Sequence, residues 1–339
     1  MAVYSSLAAM IPSSEFSFTS ADGLRIACAR WDSRGPLRGV VQIAHGMGEH
    51  IGRYTAVIEV LVSAGFTVYG NDHRGHGLTA LSVTHLGDFG EGGFNLLVED
   101  MVRLSRIAKD ENPDRPFILL GHSMGSFASQ QYVLDQSHEI DGLILSGSGA
   151  LDGLARAASF AAPGENILNA RFEPARTPAD WLSRDNSVVD AFLSDPLCFA
   201  QLQPASFASF LAAAPSLSDP GNLRRIRADV PIYLFSGSED PVGQQLEGVE
   251  ILMERYSNAG ISDISYDFYL GGRHEMLNEI NRREVLANLL HWMCGARNVR
   301  GTGFIAVTGY YNCIPEVELK TMLIPQASRG PVDCTEDKP

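Results

Sequence analysis

Short β-rich runs and helical stretches take turns from Glu15 to about Arg297, and few folds accept that alternation. It is the pattern of a mostly parallel sheet covered by helices. Val40–Ala44 is a run between Gly39 and Gly46 that is apolar except for Gln42, as expected of a strand buried on both faces. Phe66–Tyr69, Phe117–Leu120, Leu143–Leu145, Ile232–Phe235 and Ile264–Leu270 repeat the theme. Amphipathic helices are expected between them at Tyr54–Ser63, Phe94–Lys109, Met124–Gln136, Gly243–Tyr256 and Arg282–Cys294. Ahead of these, Phe16–Thr19 and Leu24–Trp31 flank Asp22-Gly23, a two-residue hairpin signal.

The alternation fails between Gly147 and about Asp229. Leu154–Ala162, Asp180–Phe199 and Phe207–Ala214 are rich in Ala, Phe, Leu and Pro, with helical periodicity and no convincing strand. The division expected is an α/β core of residues 1–147 and 229–297, a helical cap inserted at 148–228, and a tail at 298–339 without an assigned role. In that tail, Phe304–Tyr311 alternates apolar and small residues and could add a strand to a sheet edge.

Composition removes several functions. The 26 Lys and Arg face 40 Asp and Glu, a formal net charge of −14 with no basic cluster, which suits neither nucleic acid nor an anionic lipid surface. The five cysteines, Cys28, Cys198, Cys294, Cys313 and Cys334, are scattered without a C-x-x-C pair, so neither a zinc site nor a disulfide framework is indicated. No apolar run approaches the ~20 residues needed to span a bilayer, and Met1–Pro12 lacks the pattern of a signal peptide. A soluble cytoplasmic protein is expected, with room left for transient contact with a membrane surface.

Gly121-His122-Ser123-Met124-Gly125 matches G-x-S-x-G. The pentapeptide alone says little, but here Phe117–Leu120 leads in as a strand and Met124–Gln136 leads out as a helix. Glycines in that strand–turn–helix permit a tight turn that lifts a serine hydroxyl above the sheet. A hydroxyl is a weak nucleophile until a base takes its proton, so a histidine is required. His45, His50, His73, His76 and His85 precede the serine, which is the wrong order for this architecture. His122 lies within the turn, His138 close behind the elbow helix, and His291 on a helix. His274 follows Ile264–Leu270 and Gly271-Gly272, on a loop at a strand's carboxyl end where sites of open parallel sheets lie. The acid that orients it should sit on a similar loop between the two. Asp240 follows Ile232–Phe235 and Ser236-Gly237-Ser238, with Pro241 behind it and Glu239 as the one local rival. The order Ser123, Asp240, His274 is that of α/β-hydrolases.

Acyl transfer also needs N–H donors aimed at the developing oxyanion. The residue after the nucleophile supplies one, here Met124 at the start of its helix. The other should come from the loop after Val40–Ala44, which reads His45-Gly46-Met47-Gly48-Glu49-His50; Met47 is the expected donor.

That hexapeptide, continuing Gly52-Arg53-Tyr54, resembles the oxyanion loop of monoacylglycerol lipases and bacterial lysophospholipases of the α/β-hydrolase superfamily. Asp72-His73-Arg74-Gly75-His76-Gly77, the elbow, Ser236–Val242, Ser183-Arg184-Asp185 and Asp195-Pro196-Leu197 resemble further motifs of that family, over about residues 15–297. The resemblance implies an eight-stranded, mostly parallel sheet, a helical cap, no metal or cofactor, and hydrolysis of carboxylic esters carrying one fatty acyl chain. By position it also implies that Met47 and Met124 supply the oxyanion donors and that Glu49 and Arg53 line the polar end of the substrate pocket. Two residues depart from the pattern. Ser126 replaces the glycine often found after the elbow, and Leu277 stands where mammalian monoacylglycerol lipases carry a second pocket histidine.

The expected function is therefore hydrolysis of monoacyl lipid esters, with a small lipid or ester as partner. The alternative is an aminopeptidase or amidase on the same scaffold, for which Asp180, Asp185 and Asp190 could hold a free amine. A non-catalytic binding protein would ordinarily have lost a triad residue, and this chain keeps all three.

Overall fold

The computed structural model describes residues 12–160, 165–199 and 201–295. The expectations for the start of the chain and for the tail, including Phe304–Tyr311, lie outside the described residues. Eight strands form one sheet: β1 (Ser14–Thr19), β2 (Arg25–Trp31), β3 (Gly39–Ala44), β4 (Phe66–Asn71), β5 (Phe117–His122), β6 (Gly142–Ser146), β7 (Ile232–Gly237) and β8 (Ile264–Tyr269). Their spatial order is β1-β2-β4-β3-β5-β6-β7-β8. β1 pairs antiparallel with β2, and β2 antiparallel with β4; every other neighbour is parallel. β3 to β7 are buried along their whole length, which is why their sequences are mostly apolar, with Gln42 in β3 and Thr67 and Asn71 in β4 as buried polar exceptions.

Helices α1 (Thr55–Ser63), α2 (Gly93–Glu111) and α3 (Met124–Gln136) follow β3, β4 and β5 as crossovers. Between β6 and β7 the described residues form five further α-helices: α4 (Leu151–Phe160), α5 (Asn186–Ser194), α6 (Pro204–Leu211), α7 (Ala214–Ser218) and α8 (Pro220–Leu223). α9 (Glu247–Asn258) and α10 (Arg282–Met293) complete the order. α9 starts four residues later than its periodicity suggests. Gln244, Gln245 and Leu246 all hold positive φ, of 52°, 52° and 80°, so the chain makes a left-handed turn before it enters the helix. The β1–β2 connection also differs from a two-residue hairpin. It spans residues 20–24, closed by the Ser20 N–H donating to the Leu24 carbonyl at 2.7 Å. The Asp22 carboxylate bonds the Leu24 N–H and the buried Arg74. Among the described residues no helix is long and apolar enough to cross a membrane, and Cys28, Cys198 and Cys294 form no disulfide with one another.

Candidate active site

The turn between β5 and α3 forces Ser123 to φ 52°, ψ −123°, a conformation that costs a non-glycine residue on the order of 1–3 kcal/mol. Its neighbours hold it there. A Cβ on Gly125 would lie 2.1 Å from the Ala44 carbonyl oxygen, and one on Gly121 would lie 2.5 Å from that of Gly125, so only glycine fits at either place. The Ser123 N–H donates to the Ser146 carbonyl at 2.9 Å. Ser126, the departure from the family pattern, donates its hydroxyl to the Ser123 carbonyl at 2.6 Å, and its oxygen is left to accept the Ser148 hydroxyl at 2.9 Å. That hydroxyl braces the elbow from below, a service a glycine could not give.

His274 stands on the loop after β8, and its ring packs against Gly147, the residue next to the Ser146 anchor of Ser123. Its Nδ1–H donates to Asp240 Oδ1 at 2.9 Å, which leaves Nε2 as the acceptor. Asp240 is fully buried on the loop after β7, and the same oxygen accepts the Val242 N–H at 2.9 Å. Glu239 turns outward instead and pairs with Arg171 at 3.1 Å. Burial opposes the imidazolium of His274, yet the Asp240 carboxylate outweighs it and raises the pKa above the ordinary histidine value. The Trp181 ring, from the segment between α4 and α5, and the His122 ring each lie 4.8 Å from the His274 ring. His122 shares a hydrogen bond with Ser146 Oγ at 3.1 Å; burial and the neighbouring His274 lower its pKa to about 4, so it is neutral near pH 7.

The loop after β3 comes against the elbow: a Cβ on Gly46 would sit 3.1 Å from that of Ser123. Its Glu49 is buried with both oxygens engaged. Oε1 accepts the Gly46 N–H at 2.6 Å and the Tyr54 hydroxyl at 2.7 Å, and Oε2 accepts Arg53 at 2.8 Å. Burial would raise the Glu49 pKa, but the Arg53 guanidinium and its other donors bring it below the usual carboxylate value. Arg53 in turn donates two bonds to Glu275, at 2.6 and 2.9 Å, beneath the ring of Phe192. Glu49 and Arg53 thus hold one another and the chain around them. Among the described residues neither the Met47 nor the Met124 N–H has an intramolecular acceptor.

In the sequence Tyr54 stands out only as the end of the Gly52-Arg53-Tyr54 motif, and Trp181 and Glu275 not at all. The i, i+4 spacing of Glu49 and Arg53, and the place of Glu275 directly after His274, are the signals that could have found this cluster. A second grouping, His50, Asp195 and Cys198, brings three metal-ligating atoms within 4.8 Å of one another. There His50 Nε2–H already donates to Asp195 at 2.9 Å, and burial holds the Cys198 thiol protonated. With the Phe199 N–H on the Gly48 carbonyl at 3.0 Å, it clasps the inserted segment to the β3 loop.

The sheet order, the strained serine between strand and helix, and the acid and histidine loops at neighbouring strand ends are those of the α/β-hydrolase class of serine hydrolases. Residues 35–281 match the family model described as serine aminopeptidase, S33, and the chain belongs to that family. It is 32% identical over 289 residues to a monoacylglycerol lipase of Mycolicibacterium smegmatis, covering 83% of this chain and 96% of the relative. A monoglyceride lipase of Rattus norvegicus is 28% identical over 300 residues, with 87% and 92% covered. The solved structure of a highly thermostable carboxyl esterase from Bacillus coagulans, in complex with glycerol, superposes with a TM-score of 0.76 at 29% identity, over 85% of this chain and all of that one. The chain is a serine ester hydrolase.

Proposed function

We propose that this enzyme hydrolyses neutral monoacyl lipid esters through an acyl-enzyme, with Ser123 as nucleophile, His274 as general base and acid, and Asp240 as the group that fixes the histidine's tautomer. The observation that carries the reading is the buried Asp240–His274 pair beside a serine held at φ 52°. Ser123 attacks the ester carbonyl as His274 Nε2 takes its proton; the same nitrogen then protonates the departing alcohol. Water, activated in turn by His274, releases the fatty acid. The free N–H groups of Met47 and Met124 receive the oxyanion in both steps.

The names of the similar proteins support a monoacylglycerol or related ester as substrate. The inserted helices α4–α8 serve as a cap with apolar surface toward the acyl chain, and residues 298–339 are left without a role. An aminopeptidase would need acidic groups ready for a free amine. Asp180 instead accepts the Arg176 N–H and the Thr177 hydroxyl, Asp185 caps α5 and pairs with Arg282, and Asp190 pairs with Arg176. A panel of monoacylglycerols, lysophospholipids, p-nitrophenyl esters and aminoacyl anilides tests the reading. Neutral monoacyl esters should be turned over best; a preference for the anilides would overturn it.

A further inference from the structure

Glu275 joins two loops that must keep their distance for catalysis. One end of the chain of contacts is its backbone, contiguous with His274, whose N–H donates to the Trp181 carbonyl while the Glu275 N–H donates to that of Leu182. The other end is its carboxylate. Both oxygens grip Arg53, and Oε2 also accepts the Asn278 side-chain amide at 2.9 Å. Arg53 passes the link to Glu49 Oε2, and Glu49 Oε1 fastens the Gly46 N–H one residue before Met47. Glu49 and Glu275 are each only 3% exposed. A bidentate guanidinium–carboxylate pair fixes angle as well as distance, which a lysine pair would not.

We propose that Glu275 is a positioning residue: through Arg53 and Glu49 its carboxylate holds the histidine loop and the oxyanion loop in fixed relation. The consequence for Arg53 is that its charge is spent inside the protein. Two carboxylates balance its charge and take three of its five N–H donors, so it is not a free cation for the substrate's alcohol portion, contrary to what position alone implies. The proposal relies on the triad assignment made above and not on the identity of the ester. Misplacement of catalytic groups by about 1 Å can cost on the order of a hundredfold in rate, and loosening this link should act on kcat.

The charges around His274 supply a second readout. Asp240 from the β7 loop, Glu275 beside it and Glu49 from the β3 loop favour its protonated form, while burial opposes it; His122 from β5 is neutral near pH 7, and Arg53 lies beyond the two glutamates. Neutralising Glu275 therefore lowers the pKa of His274 as well as freeing one side of Arg53. The experiment uses the full chain and p-nitrophenyl butyrate, an activated ester that asks only for the triad and the oxyanion donors. Loss of monoacylglycerol activity with retained butyrate activity would fault the substrate reading alone. Glu275→Gln should lower kcat by about 10–100-fold with KM nearly unchanged, and should move the acid limb of kcat/KM to lower pH. Glu275→Asp keeps the charge but not the reach, so its acid limb should stay in place while kcat falls. Wild-type kcat with an unmoved limb in Glu275→Gln overturns the proposal, as does a loss confined to KM. Should Glu275→Gln fail to fold, Glu275→Asp decides: wild-type kcat there overturns it equally.

Discussion

Acid should unfold this enzyme well above the pH at which its carboxylates titrate, because histidines are buried behind and beneath the β3 loop. Burial, the first cause in each case, holds His45 and His76 down to about 3 and His122 to about 4; His73 is lowered as well. The rings are crowded, with His45 4.2 Å from His73 and 5.2 Å from His76 between centroids. His73 Nε2 and His76 Nε2 are buried without a hydrogen-bond partner among the described residues, so a proton placed there gains no acceptor. The folded pKa values lie below the unfolded value of about 6.5, so above that pH both states are neutral and nothing is lost. As pH falls below it, the unfolded chain takes up protons that the folded one refuses, and stability drops. At pH 5 each such histidine costs about 2 kcal/mol, from 1.36 kcal/mol per unit over about 1.5 units. His45, His76 and His122 together approach 6 kcal/mol, comparable with the whole stability of an ordinary domain. His274 works the other way: its raised pKa favours the fold below about 6.5, an advantage lost as pH rises through the folded value. Urea denaturation at pH 7.5, 6.5, 5.5 and 5.0 measures the slope. In His76→Asn, whose amide can still meet the Arg74 carbonyl that His76 Nδ1 bonds at 3.0 Å, the slope should fall by up to about 1.4 kcal/mol per pH unit. Stability that stays flat from pH 6.5 to 5.0, or a slope that His76→Asn does not change, would refute the reasoning.

Three further outcomes are expected. Ser123→Ala and His274→Ala should each cut kcat by ~10⁴–10⁶-fold, with the double variant little worse, since the pair acts as a unit; Asp240→Asn should cost somewhat less, and Glu239→Gln almost nothing. Steady-state kinetics would sink these assignments if the double variant multiplied the penalties, or if Glu239→Gln were the damaging change. Gly125→Ala drives a methyl against the Ala44 carbonyl and should lose about 3–5 kcal/mol, whereas Gly35→Ala, with open space around it, should stay within about 0.5 kcal/mol; equal melting temperatures would refute the steric argument. Last, kcat/KM on an acyl-length series should rise to about six to twelve carbons, since each buried CH₂ adds up to ~0.8 kcal/mol; a maximum at acetate would mean that the inserted helices offer no acyl site.

Much of the architecture is legible because burial leaves a local imprint. β3 to β7 are covered on both faces, so each is written as a short, mostly apolar run, and α3 spans the same residues its pattern suggests. Asp240 and His274 could be picked out for a different reason: each follows a strand, β7 fully buried and β8 only partly so, on a loop at its carboxyl end. The remainder depends on partners distant in the chain. Arg53 and Glu275 stand 222 residues apart, and neither sequence neighbourhood announces the other. Phe210 illustrates the same limit. Helical spacing does not name its partners, and its ring packs on Phe94 and Phe127 at 5.1 and 5.6 Å, which makes it core. The delayed start of α9 escaped because Gln244, Gln245 and Leu246 are ordinary helix formers held left-handed by the surrounding loop.

The seam between His274 and residues 181–182 sets a rule for anyone recombining such enzymes. The backbone bonds from His274 and Glu275 to Trp181 and Leu182 are joined by the Arg273 side chain on the Ser183 carbonyl and by Arg184 on Glu279. The stretch from Asp180 to Arg184 is thus moored to the histidine loop, and in a graft it belongs with the catalytic domain rather than with the helices around it. A chimera that exchanged residues 151–223 as a block would cut the histidine's moorings along with the intended specificity. One that exchanged α4 and α6 around a retained Asp180–Arg184 would keep the base in place, and would turn the insertion into two replaceable parts on a fixed keel.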